Sequence, residues 1–305
     1  MAKVTIIGSG NVGATAAMFI AQKGLANVVL IDIIEGIAQG KALDIWEAMP
    51  LFGSNVKVIG STSYQEAKDS DIVVITAGMP RRAGMSRDDL LNINKKIIIS
   101  ICQKIKKYTP SAVIIVVTNP VDTICYLALK SLGFPKQRVI GMAGVLDSTR
   151  YRAFIANTLR ENVNNVKAMV LGTHGDLMVP LIKHTIVKGV PISEIFEKEE
   201  IRKLVERTRF AGGEIVNLLK KGSAYYAAGA SILEIVEAIL TENKKVLPCS
   251  VYLEGEYGIN GIYIGVPCVL NKKGLQEIKE FKLTREERKE FHKSALKIKD
   301  MIRKL

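Results

Sequence analysis

Val4-Thr5-Ile6-Ile7-Gly8-Ser9-Gly10-Asn11-Val12-Gly13 decides how the first half of this 305-residue chain folds. A short β-branched, largely apolar run leads straight into a G-x-G-x-x-G turn, and Ala14 to Lys23 continue with helical composition. Strand, glycine turn, helix is the order that binds a pyrophosphate. The glycines permit a tight turn and close backbone approach, and the helix N-terminus presents unpaired N–H groups. The turn alone is a weak signal, because glycines so spaced also make plain turns. Asp32 strengthens it by ending the next run, Asn27 to Asp32, at the separation of about 20 residues expected of a ribose-binding carboxylate. A carboxylate there accepts bonds from the adenosine ribose hydroxyls and repels a 2′-phosphate, and Ile33-Ile34 provides no arginine to receive one. The implied ligand is NAD rather than NADP, held by Gly8, Ser9, Gly10, Asn11, Val12, Gly13 and Asp32.

Further strands are expected at Val56 to Gly60, Asp71 to Thr76, Ala112 to Thr118 and Arg138 to Ile140. All are apolar throughout rather than alternating, as strands covered on both faces of a parallel sheet should be. Interleaved with helical stretches, they give a doubly wound α/β (Rossmann) domain over residues 1–144. After Gly144 the character changes. A helix from about Val145 to Leu159 and a strand near Val166 to Leu171 precede longer helices. Hairpin-like segments follow at Ile182 to Ile192 and Lys245 to Val269, and a last helix opens at a Thr284 to Glu287 capping box. The expectation is a second, mixed α+β substrate-binding and catalytic domain over residues 145–305.

The composition excludes several classes. Hydrophobic residues are 48% and charged residues 24%, which suits a globular protein. No apolar run approaches the ~20 residues of a membrane helix. Met1-Ala2-Lys3 enters the first strand directly, leaving no room for a signal peptide, so a soluble cytoplasmic protein without a membrane partner is expected. Cys102, Cys125, Cys249 and Cys268 are scattered, with no metal-binding or disulfide spacing, so neither a metal nor a disulfide framework is expected. The net charge of +13 is spread along helices and mixed with Glu, without aromatic-basic interleaving. A specific nucleic-acid partner is therefore not expected, though a positive field raises the encounter rate with dianionic metabolites.

Hydride transfer on a 2-hydroxy acid needs a base for the hydroxyl proton, a cation for the carboxylate and a group that polarises the carbonyl in reverse. Candidates exist for each. His174 lies in Gly172-Thr173-His174-Gly175-Asp176 after a strand, whereas His184 and His292 lie in amphipathic or lysine-rich surroundings. Asp147 and Arg150 share a helix face three residues apart. Either they form a local ion pair, or Asp147 orients His174 while Arg150 clamps a carboxylate. Thr76-Ala77-Gly78-Met79-Pro80-Arg81-Arg82-Ala83-Gly84-Met85-Ser86-Arg87-Asp88-Asp89 begins at a strand end, where open α/β sheets bind ligands. It is either an exposed basic turn or a segment that closes over an anion and brings Arg87 to a carbonyl. Asn119, before Pro120, is either a turn former or an amide facing the site.

Together these segments, with V-T-N-P-V-D, G-V-L-D-S-T-R and G-S-A-Y-Y-A, resemble the lactate/malate dehydrogenase family along essentially the whole chain, and within it the malate enzymes that are similar to lactate dehydrogenase. The resemblance implies that His174 is the proton acceptor, Asp147 its partner, Arg150 the clamp on the shared carboxylate and Arg87 the polarising group. It also implies that Asn119 touches substrate and cofactor, and that Asn94, Val117, Thr118 and the Asn119 backbone touch NAD. Lactate enzymes carry Gln at the position matching Arg81, and usually a larger Thr at that matching Ala224. The arginine suits a second carboxylate and the alanine leaves room for it, which implies (S)-malate and oxaloacetate as substrates. Arg82-Ala83 stands where Lys-Pro is more usual. Lactate dehydrogenase, or an NAD-binding protein without catalysis, are the alternatives, and the family implies a homo-oligomer, dimer or tetramer.

Overall fold

The computed structural model describes residues 1–79, 87–220 and 222–305. Arg81, Arg82 and the rest of the 80–86 segment therefore lie outside the described residues.

The first half alternates β1 (Lys3–Ile7), α1 (Asn11–Gln22), β2 (Asn27–Ile31), α2 (Ile37–Ala48), β3 (Val58–Ser61), β4 (Ile72–Ile75), α3 (Arg87–Tyr108), β5 (Val113–Val116), α4 (Val121–Leu132) and β6 (Val139–Gly141). These strands pair in parallel in the order β3-β2-β1-β4-β5-β6. Sequence order reverses between β1 and β4, so a crevice opens beyond their C-terminal ends, where ligands of such sheets bind. β4 and β5 are buried at every position, and β1 and β2 at all but the first, as unbroken apolar runs require.

The second half contains α5 (Gly144–Leu159), β7 (Val166–Lys167), β8 (Val170–Gly172), β9 (Met178–Pro180), β10 (Ile186–Val187), β11 (Val190–Pro191), α6 (Ile192–Ile195), α7 (Lys198–Leu219), α8 (Tyr226–Thr241), β12 (Val246–Glu254), β13 (Asn260–Asn271), β14 (Gly274–Ile278) and α9 (Arg285–Ile302). The long β12–β13 hairpin extends the parallel sheet: Ser250 of β12 pairs antiparallel with Gly141 of β6, and Gly265 of β13 pairs with Gly172 of β8. Both seams need glycine. A Cβ on Gly141 would sit 2.7 Å from the Ser250 Cβ, and one on Gly265 would sit 2.6 Å from the Gly172 carbonyl oxygen.

Two expectations need correction. The helix after the glycine turn begins at Asn11 rather than Ala14, so Asn11, Val12 and Gly13 form its first turn. The Val166 to Leu171 run is two strands, because the chain changes partners at Ala168-Met169: Val166 pairs with Val187 in a small three-stranded sheet, and Val170 with Pro180 in the large one. The capping box at α9 is formed, with Thr284 Oγ1 accepting from Glu287 N at 3.2 Å and Glu287 Oε2 from Thr284 N at 2.8 Å. The four cysteines are buried thiols. Among the described residues no helix is long and apolar enough to cross a membrane.

Candidate active site

The glycine turn does what its composition allows. Gly8 has φ +104°, a left-handed backbone that disfavours side chains, and a Cβ there would lie 2.6 Å from Ala77 N. Gly13 packs its α-carbon against the Gly8 carbonyl, which an added Cβ would meet at 2.0 Å. Gly10 faces open space, and as the residue preceding α1 it gives the helix no side-chain cap. The first helical bond is Ala14 N to Gly10 O, so the amides of Asn11, Val12 and Gly13 have no intrahelical acceptor and point outward as an anion cradle. Ser9 is buried, its N–H donates to Asp32 Oδ2 at 2.8 Å, and its carbonyl accepts from Lys41 Nζ at 2.7 Å.

Asp32 also accepts from Ile34 N at 3.2 Å. Its carboxylate, with Gly8, Gly10, Ile33, Ile34 and Tyr64, lines a cavity of about 720 Å³. Each oxygen keeps a lone pair for a further donor, and the apolar walls and amide cradle match a ribose, an aromatic base and a pyrophosphate. The residues present therefore fit NAD.

A second cavity, of about 400 Å³, gathers His174, Arg150, Asn119, Thr173, Arg209 and Lys297, among others. His174 sits on the β8–β9 connection and Asp147 in the first turn of α5, where the helix dipole favours a carboxylate. His174 Nδ1 lies 2.9 Å from Asp147 Oδ1 and 3.0 Å from Oδ2. Nε2 is left as the ring nitrogen facing a ligand. The Asp147 charge raises the imidazole pKa above its ordinary value, outweighing burial, which opposes it. One-fifth of the His174 side chain is exposed, at 21%, against 2% for Asp147.

Arg150 stands on the same face of α5. Its Nη1 is 4.0 Å from Asp147 Oδ1, and its buried Nε has no hydrogen-bond partner among the described residues. Burial lowers its pKa despite Asp147. A largely dehydrated guanidinium with one long ion pair is a site prepared for an anion. The Asp147 and Arg150 spacing thus brings the two together as neighbours, and Asp147 also contacts His174.

Asn94, buried in α3, joins the two cavities. Its Oδ1 accepts from Met79 N at 2.8 Å, and its Nδ2 donates to Asn119 O at 2.9 Å. Met79 lines the first cavity and Asn119 the second. Asn94 thus braces the walls of both. Thr118 is turned inward, its Oγ1 donating to Ala77 O at 2.7 Å, and the Val117 N–H is used by Ile75 O at 2.9 Å. Their carbonyls remain as possible contacts. Asn119-Pro120 is a cis peptide.

Not every expected residue joins these groups. Arg81 lies outside the described residues, and Arg87 is described only as the first backbone position of α3. Ala224 is half-buried just before α8 and is not among the residues lining the His174 cavity. Conversely, Arg209 and Lys297 come from α7 and α9, and Asp122 bonds Thr173. Arg209 and Lys297 stand in no local sequence motif. Asp122 stands inside V-T-N-P-V-D, where its only signal was a carboxylate among apolar residues.

Similarity to known proteins covers both halves of the chain. Residues 2–141 match the lactate/malate dehydrogenase, NAD binding domain, and residues 144–305 the lactate/malate dehydrogenase, alpha/beta C-terminal domain. The malate dehydrogenase of Bacillus subtilis (strain 168) is 52% identical over 305 residues, covering 99% of this chain and 98% of the relative. The apo malate dehydrogenase from Picrophilus torridus superposes with a TM-score of 0.96 at 43% identity, covering 99% and 96% of the two chains. The lactate dehydrogenase from Cryptosporidium parvum, complexed with lactic acid and nicotinamide adenine dinucleotide, also gives 0.96, at 42% identity over 99% and 97%. With both halves matched in order and both cavities in place, this chain belongs to the lactate/malate dehydrogenase family.

Proposed function

We propose that this protein reversibly oxidises (S)-malate to oxaloacetate, with residues 1–144 binding the cofactor and residues 145–305 supplying the chemistry. The observation that carries the reading is the cavity lined by both His174, whose Nδ1 lies 2.9 Å from Asp147 Oδ1, and the under-compensated guanidinium of Arg150. Near-complete alignment at 52% identity with an enzyme named malate dehydrogenase supports it. NAD, when bound along the glycine turn, supplies the hydride acceptor. Arg150 binds the carboxylate next to the reacting carbon. His174 Nε2 takes the hydroxyl proton as the C–H bond gives up its hydride, and Asp147 steadies the resulting imidazolium. In the reverse direction His174 returns that proton to the carbonyl oxygen, and Arg87 polarises the carbonyl.

Arg81 receives the second carboxylate in this reading, and Ala224 leaves space. Losing a buried charge pair of this kind costs about 2–5 kcal/mol, enough to select a dicarboxylate over a monocarboxylate. The lactate reading has support in the fold shared with a lactate dehydrogenase. Initial rates with oxaloacetate and pyruvate, each with NADH and NADPH, separate the possibilities. The expected order is oxaloacetate with NADH first, and faster pyruvate turnover would overturn the substrate assignment. Arg81→Gln should move the preference toward pyruvate by at least about tenfold.

A second copy of the chain is the expected partner, and a cytoplasmic location is proposed. Leu43, Trp46, Leu51 and Phe52, on and just after α2, expose 53%, 51%, 88% and 45% of their surface, an apolar face that self-association would cover. Sedimentation of the protein reads the assembly directly.

A further inference from the structure

One buried carboxylate has no part in the proton transfer above. Asp122, in the first turn of α4, is 2% exposed. Its Oδ1 accepts from Ser250 Oγ of β12 and its Oδ2 from Thr173 Oγ1, both at 2.6 Å. Thr173 immediately precedes His174, and its own N–H donates to Ser294 Oγ of α9 at 2.8 Å. The residue before the imidazole is therefore gripped by α4 through its hydroxyl and by α9 through its backbone. The backbone alongside is equally confined: Gly172 has φ +85°, and an added Cβ there would lie 3.1 Å from Ser294 Oγ.

The chemistry of the grip is specific. Two hydroxyls donate to one group, which needs an acceptor at each end. A carboxylate offers two, whereas an amide would present N–H₂ to one hydroxyl and force its proton to find another acceptor in a buried place. Burying a carboxylate without a cation is costly, and here burial pushes the Asp122 carboxyl up to about 6 against the opposing pull of Ser250 and Thr173. A group kept at such cost, bonded to the residue that precedes the proton-transferring imidazole, calls for a reason.

We propose that Asp122 is a positioning residue, whose ionised carboxylate holds Thr173, and through it the His174 backbone, so that Nε2 meets the substrate while a second negative charge lies behind the ring. The inference rests on the dehydrogenase reading for its kinetic consequence but not for its structural one. Among the described residues, the charged and titratable groups around His174 are Asp147 and Arg150 from α5, Asp122 from α4, Asp176 from its own connection, Arg209 from α7 and Lys297 from α9. Of these, Asp147 and Asp122 raise its pKa, and Arg150 lowers it.

The test uses the full chain and the Asp122→Asn variant. With His174, His184 and His292 the only histidines, imidazole NMR titration resolves each ring. His174 should titrate at lower pH in the variant than in wild type, because removing a nearby negative charge disfavours the imidazolium. The kcat for oxaloacetate reduction should fall by about tenfold or more, with the NADH dissociation constant changed by less than about twofold, since only alignment of the reacting groups is lost. Thr173→Val, which deletes the hydroxyl and keeps the carboxylate, should show a similar kcat loss and keeps the proposal testable if Asp122→Asn fails to fold. The double variant should be no worse than the more impaired single one, as two ends of one interaction require.

Unchanged His174 titration with kcat within about twofold of wild type in Asp122→Asn overturns the proposal. So do kinetic losses that multiply in the double variant, or full activity in Thr173→Val. A wild type without turnover, but with His174 displaced in Asp122→Asn, sinks the dehydrogenase reading and supports the positioning.

Discussion

Arg150→Leu separates binding from stability in one side chain. The native side chain is 12% exposed, and among the described residues its ion-pair partner, Asp147 Oδ1, is 4.0 Å away and its buried Nε has no partner. An unsatisfied buried donor costs about 1–3 kcal/mol. Leucine removes that cost and refills part of the volume, while Asp147 keeps His174 at 2.9 Å. Urea unfolding without ligands should therefore show stability unchanged or raised by about 1–2 kcal/mol, as when buried ionic groups are replaced by apolar ones. Turnover should move the opposite way. The lost charge-assisted bonds to a carboxylate are worth about 2–5 kcal/mol, so kcat/KM for oxaloacetate should drop about 30-fold to several-thousand-fold. Saturating malate should raise the wild-type midpoint and leave that of the variant in place. A loss of more than about 2 kcal/mol in unfolding would make Arg150 a structural residue, and kcat/KM within about threefold of wild type would mean that the carboxylate is held elsewhere.

Asp147→Asn should shift both pH limits downward: oxaloacetate reduction, which needs the imidazolium, fails at lower pH than in wild type, and malate oxidation begins at lower pH. Because the His174 pKa is raised in the fold, chiefly by the Asp147 charge, the stability their coupling contributes is complete below the ordinary histidine value of 6.5 and is lost as pH rises through the folded one. The gap in urea stability between wild type and variant should narrow across that interval, and a gap constant with pH would contradict the pairing. Gly13→Ala, whose Cβ would meet the Gly8 carbonyl at 2.0 Å, should fail to fold or lose several kcal/mol, on the order of a severe overpacking. Gly10→Ala meets nothing within 4 Å, so it should fold normally yet weaken NADH fluorescence titration, and unaltered NADH affinity would remove the turn from the cofactor site.

What could be read from sequence depended on range. β1, β2 and the turn between β1 and α1 were legible because strand, glycines and Asp32 lie within a few tens of residues and each demands a local geometry. His174 and Asp147 stand on different elements, so spacing could not decide between a local ion pair with Arg150 and an orienting contact, and their distances show both. The Asp122 network joins residues up to 128 positions apart, which only the β12–β13 hairpin brings together. The break at Ala168-Met169 was hidden because apolar continuity reports burial and not the identity of the neighbouring strand.

The brace formed by Asn94 has an evolutionary meaning. It ties Met79, the last described residue before the 80–86 segment, to α3, the helix that follows that segment, and to Asn119 just beyond β5. The segment carrying Arg81 thus lies between two anchored ends, while His174 and Asp147 stand on the β8–β9 connection and on α5. With Arg81 and His174 in the roles proposed above, that segment can change in sequence while the reaction centre is kept. Such an arrangement lets one scaffold be reprogrammed between metabolites, in keeping with the near-identical superposition of this chain on solved enzymes of both names.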